Sequence, residues 1–224
     1  MNCLVKRDSL LDELSFEELE ILESRRHPIF YEKGETIFKE GSVPGNYLCL
    51  SSGKVKIVKQ IKEGKTKIID LKKPVESLGF QSLISKSEYD YSAIAIENSQ
   101  VCSIHKDDFF KVVEKNPKLS LKIIEYLNQL LDKSTNKFLI YSSKNMGSKM
   151  SYLLLLLKDF FGVDEENKLL VKLSRKEIAD LSDMDISNAI RTLSNLASKN
   201  LIKLDNKDIY LENLEALKLL SEKK

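Results

Sequence analysis

Six of the eight glycines in this 224-residue chain stand between positions 34 and 79: Gly34, Gly41, Gly45, Gly53, Gly64 and Gly79. Glycine admits the positive backbone angles of tight turns at little steric cost, so the cluster marks a series of turns. Between them lie short runs of Ile, Val, Leu, Tyr and Phe: Thr36 to Phe38, Tyr47 to Leu50, Lys54 to Val58 and Lys67 to Leu71. The run at 54–58 alternates with period two, as a half-buried strand does. Short strands punctuated in this way predict a sandwich or jelly roll. Ser92 to Ile96 and Val101 to Ile104 extend it to about residue 105.

Beyond residue 105 the period changes. Lys106 to Glu114 predicts a short helix that ends before Asn116-Pro117, because the residue preceding a proline avoids helical angles. Lys118 to about Ser143 predicts a long helix. Along it Ile124, Leu127, Leu131, Ser134, Phe138 and Tyr141 follow one another at steps of 3 and 4, the a/d seam of a heptad. Such a stripe fits a helix buried within one domain or one shared with a partner subunit. The length, and a second apolar set (Leu121, Ile123, Leu130), favour packing on both. Ser134 is a polar interruption of the seam. Farther on, Met150 to Phe161 predicts an apolar helix ended by Gly162, and 168–173 a strand. Two short helices, a hairpin over 201–211 and a last helix from Leu214 to Leu220 follow. The expected architecture is α+β. An N-terminal jelly-roll β-barrel occupies 1–117, a dimerisation helix 118–144 and a winged helix-turn-helix 145–224.

Ser174 to Asn200 carries the function. Ser174 with Glu177 is a capping box that starts a helix at Arg175. Asp183 suits a left-handed turn, and Asp185 is a second N-cap. The next helix places Ala189, Ile190, Leu193 and Leu196 on its expected buried side. Ser187, Asn188, Arg191, Asn195 and Lys199 fall on the other. Two helices joined by so short a turn form a helix-turn-helix, with the hairpin as a wing; the pattern fits a DNA-reading unit or an ordinary three-helix packing motif, and local charge helps decide. The net charge of only +2 gives no whole-chain argument for nucleic acid. Locally the pattern differs. Ile186 to Leu204 holds Arg191, Lys199 and Lys203 and no acid; Asn167 to Lys176 holds Lys168, Lys172, Arg175 and Lys176 and no acid. A surface that meets phosphates must avoid carboxylates.

Other classes find no support. There is no apolar run long enough to span a bilayer, and acids interrupt the N-terminal stretch where a signal peptide would be apolar. The expected location is the cytoplasm, with no membrane partner. Cys3, Cys49 and Cys102 are odd in number and scattered, which argues against a disulfide framework or a metal knuckle. A jelly-roll metalloenzyme needs a His/carboxylate triad, and His27 and His105 alone do not supply one. No nucleophile motif, P-loop or dinucleotide fingerprint is present. No catalytic residue, metal site or cofactor is expected.

The order of these parts is similar to that of the Crp/Fnr family of bacterial transcription regulators. The resemblance spans about residues 28–213. It is most specific at LysGlyGluThrIlePheLysGluGly (33–41), SerGlyLysValLys (52–56), AsnPro (116–117) and LysLeuSerArgLysGluIleAlaAspLeu (172–181). The resemblance implies a homodimer on two-fold related half-sites of double-stranded DNA, with RNA polymerase as a partner if the protein activates. It assigns Ile186, Ser187 and Arg191 to the base-reading places and Ser174, Arg175 and Lys176 to phosphates, with Asn188 and Lys199 beside them. Only Arg191 keeps a residue suited to guanine O6 and N7. Ile186 could touch a thymine methyl or belong to the core. The family's familiar TGTGA half-site is not expected.

The effector pocket departs further from the family. Cyclic-nucleotide-binding members carry Gly-Glu for the ribose and Arg-Ser/Thr for the cyclic phosphate. The matching places here are Gly79-Phe80, followed by Gln81, and Tyr91-Ser92. Without the arginine the place lacks its cation for a buried phosphate, so tight cyclic AMP binding is not expected. Ser134 and Thr135 match a hydroxyl pair that reads adenine, or are a remnant of register. An iron–sulfur cluster of the oxygen-sensing kind needs several N-terminal cysteines, and only Cys3 lies there. Haem would have to draw its ligand from His27, His105, Cys49 or Cys102, residues that suit packing better. The rival function is a ligand- or protein-binding β-roll whose winged helix no longer binds DNA.

Overall fold

The computed structural model describes residues 10–11, 14–62 and 64–223; Cys3 and the charged start of the chain lie outside the described residues. The chain divides into two compact units, residues 1–132 and 133–224, whose boundary falls within the long helix.

The first unit is the jelly roll. Its strands are β1 (His27–Tyr31), β2 (Thr36–Phe38), β3 (Asn46–Ser52), β4 (Val55–Lys62), β5 (Lys65–Lys72), β6 (Ser77–Leu78), β7 (Ser92–Ala95) and β8 (Ser99–His105). They pair antiparallel in two four-stranded sheets, β1-β8-β3-β6 and β2-β7-β4-β5. Three helices accompany them: α1 (Phe16–Glu23), α2 (Phe80–Ser85) and α3 (Lys106–Lys115), followed by the long α4 (Pro117–Ser143).

Alternation along the central strands builds two cores. On β3, Leu48 and Leu50 join Val55, Ile57, Leu78, Ala93 and Val101 between the sheets. Tyr47 and Cys49 point the other way, into a cluster with Phe80, Leu83, Phe109, Val112, Leu119 and Ile123 from the helices. Both faces of β3 are therefore buried, which explains why its run is continuously apolar. Gly79 holds φ 67°, and a Cβ there would strike the Tyr89 ring. Gly53, at φ 88°, turns with no room for a side chain against Asn98 and Ser99.

α1 and α2 are additions to the elements expected from the sequence. α1 starts at a capping box formed by Ser15 and Glu18. The Ser15 amide donates to Glu18 Oε2 (2.7 Å) and the Glu18 amide to Ser15 Oγ (3.3 Å). Asn116 serves two helices. Its amide donates to the Val112 carbonyl, closing α3, and its Oδ1 accepts from the Leu119 amide (2.9 Å), opening α4. Pro117 then takes the first helical position, where its missing N–H costs nothing.

The second unit carries the end of α4, then α5 (Met146–Phe161), α6 (Arg175–Ser182), α7 (Ile186–Ser198), the hairpin β9 (Ile202–Asp205) and β10 (Asp208–Leu211), and α8 (Leu214–Glu222). α5 begins four residues before its expected start because Asn145 caps it, accepting from the Ser148 amide (3.0 Å). The strand expected at 168–173 does not form. Leu169, Val171 and Leu173 do alternate inward, but only isolated bridges to Val163 and Tyr210 hold the segment. The burial period is present, but pairing with β10 goes no further than the single bridge at Lys168, through the Leu169 amide to the Ile209 carbonyl (2.9 Å) and the Leu211 amide to the Asn167 carbonyl (3.0 Å).

Candidate nucleic-acid interface and effector pocket

The helix-turn-helix is set by its caps. The Ser174 amide donates to Glu177 Oε2 (2.8 Å) and the Glu177 amide returns to Ser174 Oγ (3.2 Å). Asp183 takes the left-handed conformation at φ 55°, ψ 49°. The Met184 amide then reaches back to the Ala179 carbonyl (3.0 Å), a Schellman-type closure. Asp185 Oδ1 accepts from the Asn188 amide (2.7 Å) and starts α7. With 13 residues, α7 is about 20 Å long, enough to lie in a major groove about 12 Å wide.

Ala189, Leu193 and Leu196 anchor α7, each no more than 2% exposed. Ile190 was expected beside them but is 45% exposed, and Ile186 is 46% exposed. Four positions apart, they share the outer face of the helix with Ser187 and Arg191. Ile186 is therefore surface rather than core. Ile190 is a candidate contact that apolar periodicity misassigns, since an isoleucine beside Ala189 reads as core. Asn188 is half-buried and its Nδ2 donates to Asp185 Oδ2 (2.5 Å), so it is engaged in the cap. Lys199 is exposed at the C-terminal end of the helix.

The folded surface also revises the local charge count. Lys168 lies 3.1 Å from Asp164 and Lys172 3.0 Å from Asp208. The acids that balance this segment come from outside it, where a linear count does not see them. Arg175 donates from Nη2 to the Asn206 carbonyl in the wing turn (2.9 Å), while Nη1 is buried without a partner. Arg175 thus braces the wing. Lys176 and Arg191 remain exposed and make no ion pair among the described residues.

Along α4 the expected seam is largely open. Ile124 is 55%, Leu131 65% and Phe138 70% exposed, and Ser134 is exposed as well. Leu127 instead packs partly on the first unit's core. Tyr141 turns into the second unit against Tyr152, ring centroids 6.4 Å apart, and its hydroxyl is buried without a partner. Burial, with Tyr152 and Asp183 nearby, raises that hydroxyl well above the usual tyrosine pKa. The face of α4 turned to the β-barrel is Leu119, Ile123 and Tyr126. Leu121, expected there, is 62% exposed.

In the first unit, the residues at the cyclic-nucleotide place are engaged with one another. Phe80 is 2% exposed and meets Tyr47, Phe109 and Tyr126 edge to face, at 5.9, 6.1 and 5.6 Å. The Tyr91 hydroxyl donates to Gln81 Oε1 (2.8 Å), and Ser92 Oγ accepts from the Glu40 amide (2.9 Å). A buried cation is present after all: Lys72, on β5, is 8% exposed with its ammonium 2.9 Å from Asp70. Burial disfavours that charge, but Asp70 and Glu76 outweigh it and the lysine pKa is raised. The same ammonium acts electrostatically on Tyr91 and Tyr126, whose hydroxyl pKa values burial raises. Lys72 lies outside the aligned motif, which is why the sequence did not mark it. Thr135 and Ser134 belong to the second unit, exposed on α4.

The candidate haem ligands have structural places. His105 caps α3, its Nδ1 accepting from the Asp107 amide (3.3 Å). His27 stands opposite Ser103 on the β1–β8 ladder. Cys49 and Cys102 are register partners across β3 and β8 in the buried helix-facing layer. Among the described residues, no group of three His, Cys, Asp or Glu is placed to hold a metal ion, and no helix is long and apolar enough to cross a membrane.

Comparison with known proteins agrees with this geometry. The cyclic nucleotide-binding domain model matches residues 28–116, and the Crp-like helix-turn-helix domain model matches residues 149–220. The chain is 24% identical over 198 residues to the CRP-like cAMP-activated global transcriptional regulator of Mycobacterium tuberculosis, covering 88% of each. It is 24% identical over 213 residues to the fumarate and nitrate reduction regulatory protein of Yersinia pestis, covering 94% of this chain and 84% of the other. The structure of FixK2 from Bradyrhizobium japonicum superposes with a TM-score of 0.78 at 18% identity, covering 89% of this chain and 98% of that one. With the β-barrel, the long helix and the winged helix-turn-helix in the same order, the chain belongs to the Crp/Fnr family of DNA-binding transcription regulators.

Proposed function

We propose that the protein works as a homodimer that reads two-fold related DNA half-sites through α7, controlled by an effector other than cyclic AMP or by none. The carrying observation is the exposed stripe of Ile124, Leu131 and Phe138 on α4. Large apolar side chains aligned at heptad spacing call for a partner surface, and a second copy of the same helix supplies a matching one. A two-fold dimer then presents two α7 helices to two half-sites. If the protein activates, RNA polymerase is the expected protein partner.

Ile186 and Ile190 favour van der Waals contact with thymine methyls, and Arg191 favours a guanine edge. Alanine at Arg191 should cost about 1–3 kcal/mol at the preferred site and relax preference at one base pair. Fluorescence anisotropy on matched and single-mismatch duplexes measures both. Unchanged specific binding would remove Arg191 from the reading face.

Two relatives are named for cyclic AMP, but this chain's residues argue against the same effector. Phe80 and Tyr91 occupy the places of the ribose and phosphate ligands, and the nearby cation, Lys72, is already paired with Asp70. Calorimetry should show no micromolar binding of cyclic AMP; micromolar binding would overturn this reading.

A further inference from the structure

A cavity of about 470 Å³ opens on the first unit between residues 43–44, α2 and α3. Its size lies in the range of small-ligand pockets, roughly 300–1,000 Å³. None of the residues assigned to the cyclic-nucleotide place lines it. Its apolar wall comes from Val43, Pro44, Leu83 and Phe110, and three lysines, Lys86, Lys106 and Lys111, stand around it.

Two features point to an occupant. None of the three ammonium groups makes an ion pair among the described residues; Lys86 instead lies 5.5 Å over the Phe110 ring. Two acids, Asp107 and Glu114, also stand at the rim, so the three lysines outnumber them by one. The second feature is Ser82. It forms part of the wall, is 2% exposed, and its hydroxyl is buried with no hydrogen-bond partner. A donor left unpaired in this way is costly unless something completes it.

We propose that this cavity binds a small monocarboxylate with an aromatic or short alkyl body. The carboxylate sits among the lysines and accepts from Ser82 once that side chain turns its buried hydroxyl toward the cavity, and the body lies on Val43, Leu83 and Phe110. Charge-assisted hydrogen bonds supply the orientation; the apolar wall supplies area. The site is independent of the cyclic-nucleotide place, yet it connects to that core. Phe110 meets Phe109 at 5.6 Å, and Phe109 stacks on Tyr47 at 4.8 Å.

The test uses 3-phenylpropanoate and its neutral amide, each titrated by calorimetry into the full chain. The acid should bind saturably and the amide at least about tenfold more weakly. Lys86→Glu combined with Lys111→Glu should weaken the acid by about tenfold or more, and Ser82→Ala should weaken it with the lysines intact. Both lysines are exposed, so the variant should fold; its thermal midpoint checks this. Lys33→Glu, a distant charge control, should bind like the wild type. Equal binding of acid and amide, no saturation by about 10 mM acid, or equal loss in the Lys33→Glu control overturns the proposal.

Discussion

A chain carrying both Leu131→Glu and Phe138→Glu should sediment as a monomer and bind a two-fold symmetric duplex at least about a hundredfold more weakly than the wild type. Both side chains are more than half exposed, so neither holds the subunit's own core and the variant should still fold, with a thermal midpoint that no longer depends on protein concentration. In a symmetric parallel pairing each glutamate meets its counterpart across the seam, placing like charges in an apolar interface where desolvation is costly. Without the dimer each α7 binds its half-site alone, and the gain from linking two modest contacts is lost. A variant that stays dimeric would place the subunit contact elsewhere and leave the α4 stripe without a purpose in this account.

Phe80→Ala should destabilise the β-barrel unit by about 3–5 kcal/mol, the usual cost of emptying a buried aromatic site. Phe80 touches three aromatic rings at once, and their neighbours on β3 and α3 cannot easily collapse into the space. Urea unfolding followed by circular dichroism suits this chain, which lacks tryptophan. The result bears on function. A loss below about 1 kcal/mol would mean that Phe80 borders open space, and the case against a cyclic nucleotide in that place would weaken.

How far the sequence could be read depended on the range of the interactions. Caps and breakers act within four residues, so Ser174 with Glu177, Asp183, Asp185 and Asn116-Pro117 were legible and fall where expected. The glycine-punctuated strands were legible for the same reason. What failed was set by contacts far along the chain. Ile190 reads as core from its neighbours, but α7 is anchored by Ala189, Leu193 and Leu196 and carries Ile190 outside. Leu121 was assigned to the barrel side, where Leu119 and Ile123 lie instead. Lys172 and Arg175 looked available to phosphates until the fold brought Asp208 and the Asn206 carbonyl beside them. Lys72 became visible only when the barrel closed around it. The segment at 168–173 kept the burial pattern of a strand but pairs with β10 at one bridge only, too short for a ladder.

The narrower set of unpaired cations sharpens the expectation for DNA. With Lys168 and Lys172 paired to acids and Arg175 engaged by the wing, the unpaired positive charge at α6 and α7 narrows to Lys176, Arg191 and Lys199. Non-specific binding should therefore be weak at physiological salt, and specificity should rest on the paired recognition helices. Selection of the full-length protein against random DNA duplexes tests this most directly. The account predicts an enriched inverted repeat, its half-sites about one helical turn apart or a multiple of it. Recovery of no enriched sequence, or of a single unrepeated site, would contradict it.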